Sequence, residues 1–168
     1  MNLNFDEIAD GKVFEQLTAI YFRQLGKSKN NNISSVKVKE TGEGVDGGKD
    51  ILVEFDFSDD ITVFKRTWVI QCKFRDDSVS PSHLKSINIP TLIHSYNANG
   101  YLLVCKKQAT SGVTELFERL NLQCKDKYQY ECWNGMQFLS KLIINEDITQ
   151  LFFPKYFEYL QTIKKRAE

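Results

Sequence analysis

The sequence predicts an α/β domain, a central mixed β-sheet flanked by helices on both faces. Three observations lead there. Short apolar runs of strand length alternate with longer stretches of helical spacing. Ser58-Asp59-Asp60 is a turn signal between two strand-like runs, which makes a hairpin. The remaining strand-like runs are separated from each other by helical segments, giving the order α-β-β-β-α-β-α-β-α.

The elements follow in order. Phe14, Leu17, Tyr21 and Leu25 recur at helical spacing, so a helix is expected over about 11–25, ending at Gly26. "KSKNNNISS" is a polar loop, "ISSVKVKE" alternates like a strand, and "TGEGVDGGKD" is a glycine-rich turn. "DILVEFDF" is a second strand and about 62–74 a third. "SVSPSHLKSINIPTLIHSYNANG" reads as one helix that Pro90 kinks or breaks. "YLLVCKK" is a buried strand, "TSGVTELFERLN" a helix, "YQYECW" a short strand and "NGMQFLSKLI" a helix. The last stretch, 146–168, is a helical extension interrupted at Pro154.

A chain of 168 residues suits one domain with a proper core, here 1–168. Its polar end, "TIKKRAE", is compatible with a linker to a further module, which would make this the effector part of a longer protein. No apolar run reaches membrane-span length, and the N-terminus lacks the basic and apolar regions of a secretory signal. Cys72, Cys105, Cys124 and Cys132 have neither CxxC nor zinc-like spacing, so reduced core thiols in a cytoplasmic protein are expected. The 22 basic and 22 acidic residues cancel, which argues against a strong non-specific polyanion binder. They are unevenly spread: residues 1–60 hold 7 Lys/Arg against 12 Asp/Glu, and residues 61–127 hold 10 against 5.

The chemistry centres on "WVIQCKF", residues 68–74. Alternation puts Trp68, Ile70, Cys72 and Phe74 on one face, and Val69, Gln71 and Lys73 on the other. An amide and an ammonium side by side in so apolar a strand need a reason. Asp50 opens the preceding strand, and in a hairpin it converges with Gln71 and Lys73 at one end. A carboxylate at a strand mouth after a glycine turn is well placed to bind a divalent cation. Phosphodiester hydrolysis needs nonbridging oxygens neutralised, a water deprotonated and a leaving oxygen stabilised. Asp50, the Gln71 side-chain carbonyl and the Cys72 backbone carbonyl are hard oxygen ligands suited to Mg²⁺. Lys73 would hold or deprotonate the attacking water, or clamp the phosphate.

"DGGKD" followed by "VIQCKF" resembles the PD-(D/E)XK nuclease superfamily, and more narrowly its Mrr-type restriction endonuclease-like domains, which use a glutamine where relatives have Asp or Glu. The resemblance runs from about Phe14 to about Ile143. "VFEQLTAIYFRQLG" looks like the family's first helix, whose acidic ligand matches Glu15, and "GYLLVCKKQATSGVTELFERL" looks like the following strand and helix. The QxK motif alone is weak, but the ordered set is strong. The strand before "QCK" is longer than the shortest members need, and "FDFSDDITVFKR" carries extra acids. The resemblance implies a restriction-endonuclease-like fold and a Mg²⁺- or Mn²⁺-dependent DNA endonuclease leaving 5′-phosphate and 3′-hydroxyl ends. Glu15, Asp50 and Gln71 would hold metal and Lys73 would serve the attacking water. Double-stranded DNA is the implied partner, bacterial restriction or anti-phage defence the implied setting, and a homo-oligomer or attached sensor module the implied assembly.

Blander readings stand beside these. Asp50 could be a turn residue, a role that suits Asp46 better; Lys73 could snorkel from a sheet edge; helix glutamates such as Glu15 are usually solvated. Glu54 shares the Asp50 face and is a reserve ligand. Lys106, Lys107 and Lys85 could touch phosphates or be solvated, and "TSG" at 110–112 could cap its helix. His83 and His94 read as cap and surface residues, and Trp68 and Trp133 as core or sheet-face aromatics. The alternatives to the endonuclease are a silent nucleic-acid or protein-binding module on the same fold, and a repair or junction-resolving nuclease.

Overall fold

The computed structural model describes residues 2–27, 32–40, 49–125 and 127–167. The glycine-rich turn over 41–48, with Asp46, and most of the polar loop after the first helix lie outside the described residues. The elements are α1 (Gly11–Leu25), β1 (Ile33–Glu40), β2 (Ile51–Ser58), β3 (Val63–Lys73), α2 (Ile89–Ser95), β4 (Gly100–Cys105), α3 (Ser111–Cys124), β5 (Gln129–Trp133), α4 (Gly135–Leu142), α5 (Glu146–Phe152) and α6 (Pro154–Ala167).

The strands form one five-stranded sheet in the order β1-β2-β3-β4-β5. β1, β2 and β3 pair antiparallel, while β3, β4 and β5 pair parallel, so the sheet is mixed as expected. Asp59 accepts hydrogen bonds from the Ile61 and Thr62 N–H groups, and Asp60 takes a positive φ of 69°, which closes the β2–β3 hairpin at the anticipated acids.

Each sheet face carries its own core. On one, Ile51, Val53, Ile70, Cys72, Leu102 and Val104 pack against α1, α4, α5 and α6. On the other, Leu52, Val69, Tyr101, Leu103 and Cys105 pack against α2 and α3. α1 seats Phe14, Leu17 and Phe22 in the first core, each worth roughly 1.5–3 kcal/mol of transfer free energy. Its start is held by Asp10, whose carboxylate accepts from the Val13 N–H at 2.9 Å. The C-terminal helices belong to this core as well: Ile148, Phe153 and Tyr156 are buried in it. Glu7 accepts from the Lys155 and Tyr156 N–H groups at the start of α6.

Two local expectations are corrected. Residues 78–100 are not one helix. A 3-10 turn at Pro81–Leu84 precedes the seven-residue α2, and Pro90 lies in the first turn of α2. There its missing N–H is no loss, so it opens a helix that Asn88 caps, rather than kinking one. Thr110 occupies the N-cap position of α3, but its side chain makes no capping bond. His83 accepts from the Ser80 N–H at 3.0 Å, and His94 packs edge-on to Tyr128, so both are local structural residues. All four cysteines are free thiols. Trp68 and Trp133 are part-buried against the first core, Trp133 stacked on Phe22. Among the described residues no helix is long and apolar enough to cross a membrane.

Candidate active site

Ile51 and Ile70 are fully buried on one sheet face, and burial locks their strands in the register Ile51↔Ile70. That register carries Asp50, just outside β2, alongside Gln71. The Asp50 N–H extends the ladder by one bond, donating to the Ile70 carbonyl at 3.0 Å. Its carboxylate Oδ2 then accepts from two groups of β3, the Gln71 Nε2 and the Cys72 backbone N–H, each at 2.6 Å. Cys72 is therefore paired with a side chain where β2 has no further strand to offer. In an extended strand the N–H and C=O of one residue point to the same side. The Cys72 carbonyl thus opens on the same edge as Asp50.

Gln71 is 5% exposed, and its Oε1 is buried with no hydrogen-bond partner. An unmet buried acceptor costs about 1–3 kcal/mol; it is the Gln71 Nε2, not this oxygen, that faces the Asp50 carboxylate. Lys73 is half-buried two residues on, at the end of β3, and its positive charge lowers the Asp50 pKa. Burial nevertheless dominates: it holds the Asp50 carboxyl above the usual carboxylate range against the Cys72 N–H, Lys73 and the Gln71 amide.

Glu15 comes from α1, on the other side of the sheet. Its carboxyl is also raised, first by burial and next by the negative charge of Asp50. The structure therefore brings Glu15, Asp50, Gln71 and Lys73 into one neighbourhood. Two carboxylates, an amide whose oxygen a half-turn would bring to the Asp50 side, and an edge peptide carbonyl make a hard-oxygen donor set that fits a divalent cation. Among the described residues no three His, Cys, Asp or Glu side chains gather as a metal cluster, so the fit depends on the amide and the peptide oxygen. Glu54 is not part of the group: it faces Lys39 at 3.5 Å and Lys65 at 3.9 Å.

The three candidate DNA-contacting lysines are placed differently. The Lys106 ammonium pairs with Asp76 at 2.6 Å and lies 4.3 Å from the centre of the Phe74 ring. Lys107 is exposed on the same loop, beside a cleft of about 780 Å³ that Lys106, Asp76 and Asn134 also line. Lys85 is exposed just after the 3-10 turn at Pro81–Leu84, on a separate segment. Sequence reasoning missed Asp76 as a partner of Lys106, because the two are 30 residues apart and only the parallel β3–β4 pairing aligns them. It also passed over Tyr101, whose hydroxyl is the second buried side-chain polar atom without a partner among the described residues. A tyrosine in a buried strand carries no local sign of that.

The sheet is mixed, and an Asp–Gln–Lys group stands at the mouth of its β2–β3 hairpin. The Mrr_cat family, described as restriction endonuclease, matches residues 7–132. The chain belongs to that family. Among solved structures it is similar to the MspJI restriction endonuclease in complex with a 27-mer oligonucleotide, at 16% identity and a TM-score of 0.49, over 77% of this chain and 27% of that one. It is also similar to the DNA modification-dependent restriction endonuclease AspBHI, at 9% identity and a TM-score of 0.46, over 96% of this chain and 43% of that one. The chain thus spans less than half the length of either. No curated protein matches it.

Proposed function

We propose that this chain is a Mg²⁺- or Mn²⁺-dependent endodeoxyribonuclease domain acting on double-stranded DNA. The observation that carries the reading is the Asp50 carboxylate held at the end of β3 by the Gln71 amide and the Cys72 N–H, with Lys73 on the same strand face as Gln71. Asp50, Glu15, the Gln71 Oε1 and the Cys72 carbonyl are the residues that would hold the cation. When bound, the cation supplies neutralisation of the phosphate oxygens and a water of lowered pKa.

The protein's own groups do the rest. The Cys72 N–H fixes the Asp50 carboxylate, so its position is set by the β3 backbone rather than by a flexible loop. Lys73, in phase with Gln71 and two residues further along, presents its ammonium on the Asp50 side, where it orients the attacking water or the scissile phosphate. Lys107 and Lys85 add exposed positive charge for the DNA backbone, and Lys106 joins them by exchanging Asp76 for a phosphate. Residues 1–168 act as one nuclease unit, since α5 and α6 share the core of α1. Restriction or anti-phage defence in a bacterial cytoplasm, alone or as effector of a sensor module, is the setting that suits such an enzyme.

Plasmid cleavage tests the reading. Supercoiled DNA should be nicked with Mg²⁺ or Mn²⁺ and untouched with EDTA. Lys73→Ala should fold and bind DNA normally yet lose cleavage by about 10²-fold or more. Full cleavage by a folded Lys73→Ala protein would remove Lys73 from the mechanism, and cleavage in EDTA would remove the metal.

A further inference from the structure

Lysines just past the end of a strand are usually solvated, yet the Lys106 side chain is only 16% exposed. Three contacts fix it. Its backbone N–H donates to the Lys73 carbonyl at 2.9 Å, which ties the residue to the end of β3. Its ammonium lies 4.3 Å from the centre of the Phe74 ring. The same ammonium meets the Asp76 carboxylate at 2.6 Å, and Asp76 is 87% exposed. The two partners of the ammonium therefore differ in kind: the ring belongs to the body of the protein, and the carboxylate stands out in solvent.

Phe74 is itself held firmly. It is the first residue after β3 and packs against the first core. Its ring centre is 5.4 Å from that of the buried Phe14 of α1, and α1 comes so close that a Cβ on Gly11 would sit 3.7 Å from the Phe74 Cβ. Successive residues of an extended chain turn to opposite faces. Lys73 thus goes to the Gln71 face, and Phe74 goes to the other, where it meets Lys106. A ring face attracts a cation without neutralising its charge. An ion pair with so exposed a partner as Asp76 holds weakly. Once Asp76 lets go, the ammonium keeps its place on the ring and its full charge, and a DNA phosphate is an anion of the right kind to take it.

We propose that Phe74 is a positioning residue for DNA: its ring keeps the Lys106 ammonium aimed at a backbone phosphate beside the active site, in the place that Asp76 occupies in the free protein. The inference rests on the DNA-nuclease reading above and deepens it, by naming the group that makes one of its phosphate contacts effective. Phe74 acts through Lys106 alone. Without the ring, the long lysine side chain has to be ordered anew when Asp76 leaves, and ordering on binding costs affinity.

The test is a double-mutant cycle read by fluorescence anisotropy of a short labelled duplex, in EDTA so that no strand is cut, over a range of salt concentrations. Lys106→Gln should weaken binding and reduce the steepness of log affinity against log salt by about one, because one phosphate contact is gone. Phe74→Leu keeps an apolar side chain and removes the ring face. It should weaken binding about two- to tenfold, the cost of ordering one long side chain, and keep the salt dependence. In the Lys106→Gln background Phe74→Leu should cost no further affinity, and Phe74→Tyr, which keeps the ring, should bind as the wild type does. An unchanged salt dependence in Lys106→Gln would overturn the proposal whether or not Phe74→Leu folds, because Lys106 would then stay with Asp76. An equal loss from Phe74→Leu in both backgrounds would overturn it as well, since Phe74 would then act through the packing of α1. Either result leaves the nuclease reading standing. No duplex binding by the wild type at any salt concentration would overturn that reading, and the proposal with it.

Discussion

Asp50 and Glu15 both hold their protons more tightly in the folded chain than in the unfolded one, because burial penalises their charged forms and the charge of Asp50 adds to the penalty on Glu15. The sign of the consequence follows from linkage. Where the folded state binds more protons than the unfolded state, stability falls as pH rises. The penalty therefore sets in above the ordinary carboxylate range and is complete once pH passes the raised values. A cation among the two carboxylates offsets it, and only the ionised forms bind a cation well. Thermal melts from pH 4.5 to 8 should show a Mg²⁺-induced rise in midpoint that is small at the acid end and grows with pH. Asp50→Asn keeps an acceptor for the Cys72 N–H but removes the charge. It should raise the metal-free midpoint at pH 8 and remove most of the Mg²⁺ increment. A Mg²⁺ increment of equal size at every pH would show that these carboxylates do not hold the ion.

At the scale of the elements, the site depends on how closely α4 approaches the end of β4. Gly135 begins α4, its N–H donates to the Lys107 carbonyl at 2.6 Å, and a Cβ there would run into the Lys106 carbonyl. Main-chain atoms cannot step aside as a flexible side chain can. Gly135→Ala should therefore cost roughly 1–3 kcal/mol and shift the Lys106–Lys107 loop. Urea denaturation measures the first, and loss of DNA affinity at unchanged Mn²⁺ affinity measures the second. A wild-type midpoint would show that α4 slides freely. The open edge of β5 is managed by another device. Asn121 of α3 both donates to the Tyr130 carbonyl and accepts from the Tyr130 N–H, taking the place a further strand would occupy. The outermost strand is thus closed by a helix side chain, and the sheet grows no further there.

For the whole molecule the governing quantity is charge. The chain is formally neutral, and Lys106 is already paired with Asp76. Affinity for DNA rises with each phosphate neutralised, so one copy should grip duplex poorly at physiological salt. One active site also cuts one strand per encounter. Two copies held together raise the effective concentration of the second site and can address both strands. Fusing residues 1–168 to an inducible dimeriser should turn a weak nicking activity into steep double-strand cleavage of supercoiled plasmid. Equal double-strand cutting with and without inducer, at matched protein concentration, would show that assembly is not the control.

Much of the fold and the centre of the site were legible in the chain itself, for a physical reason. Strand alternation is a local property with period two, so Gln71 and Lys73 had to share a face and Asp50 had to fall in phase with them once the hairpin formed. Helix spacing is local too, which is why α1 was found over 11–25. Residues 78–100 were misread because Pro90 has opposite meanings at the first turn and in the interior of a helix, and only the packing of Ile89, Leu92 and Ile93 decides which applies. Partners brought together from distant segments were decided by the tertiary structure alone. The approach of Glu15 to Asp50 from across the sheet, the capture of Lys106 by Asp76, and the two unmet atoms on Gln71 and Tyr101 all depend on which side chains the sheet and its two cores place side by side. Desolvation is a property of the assembled core, and no stretch of sequence carries it.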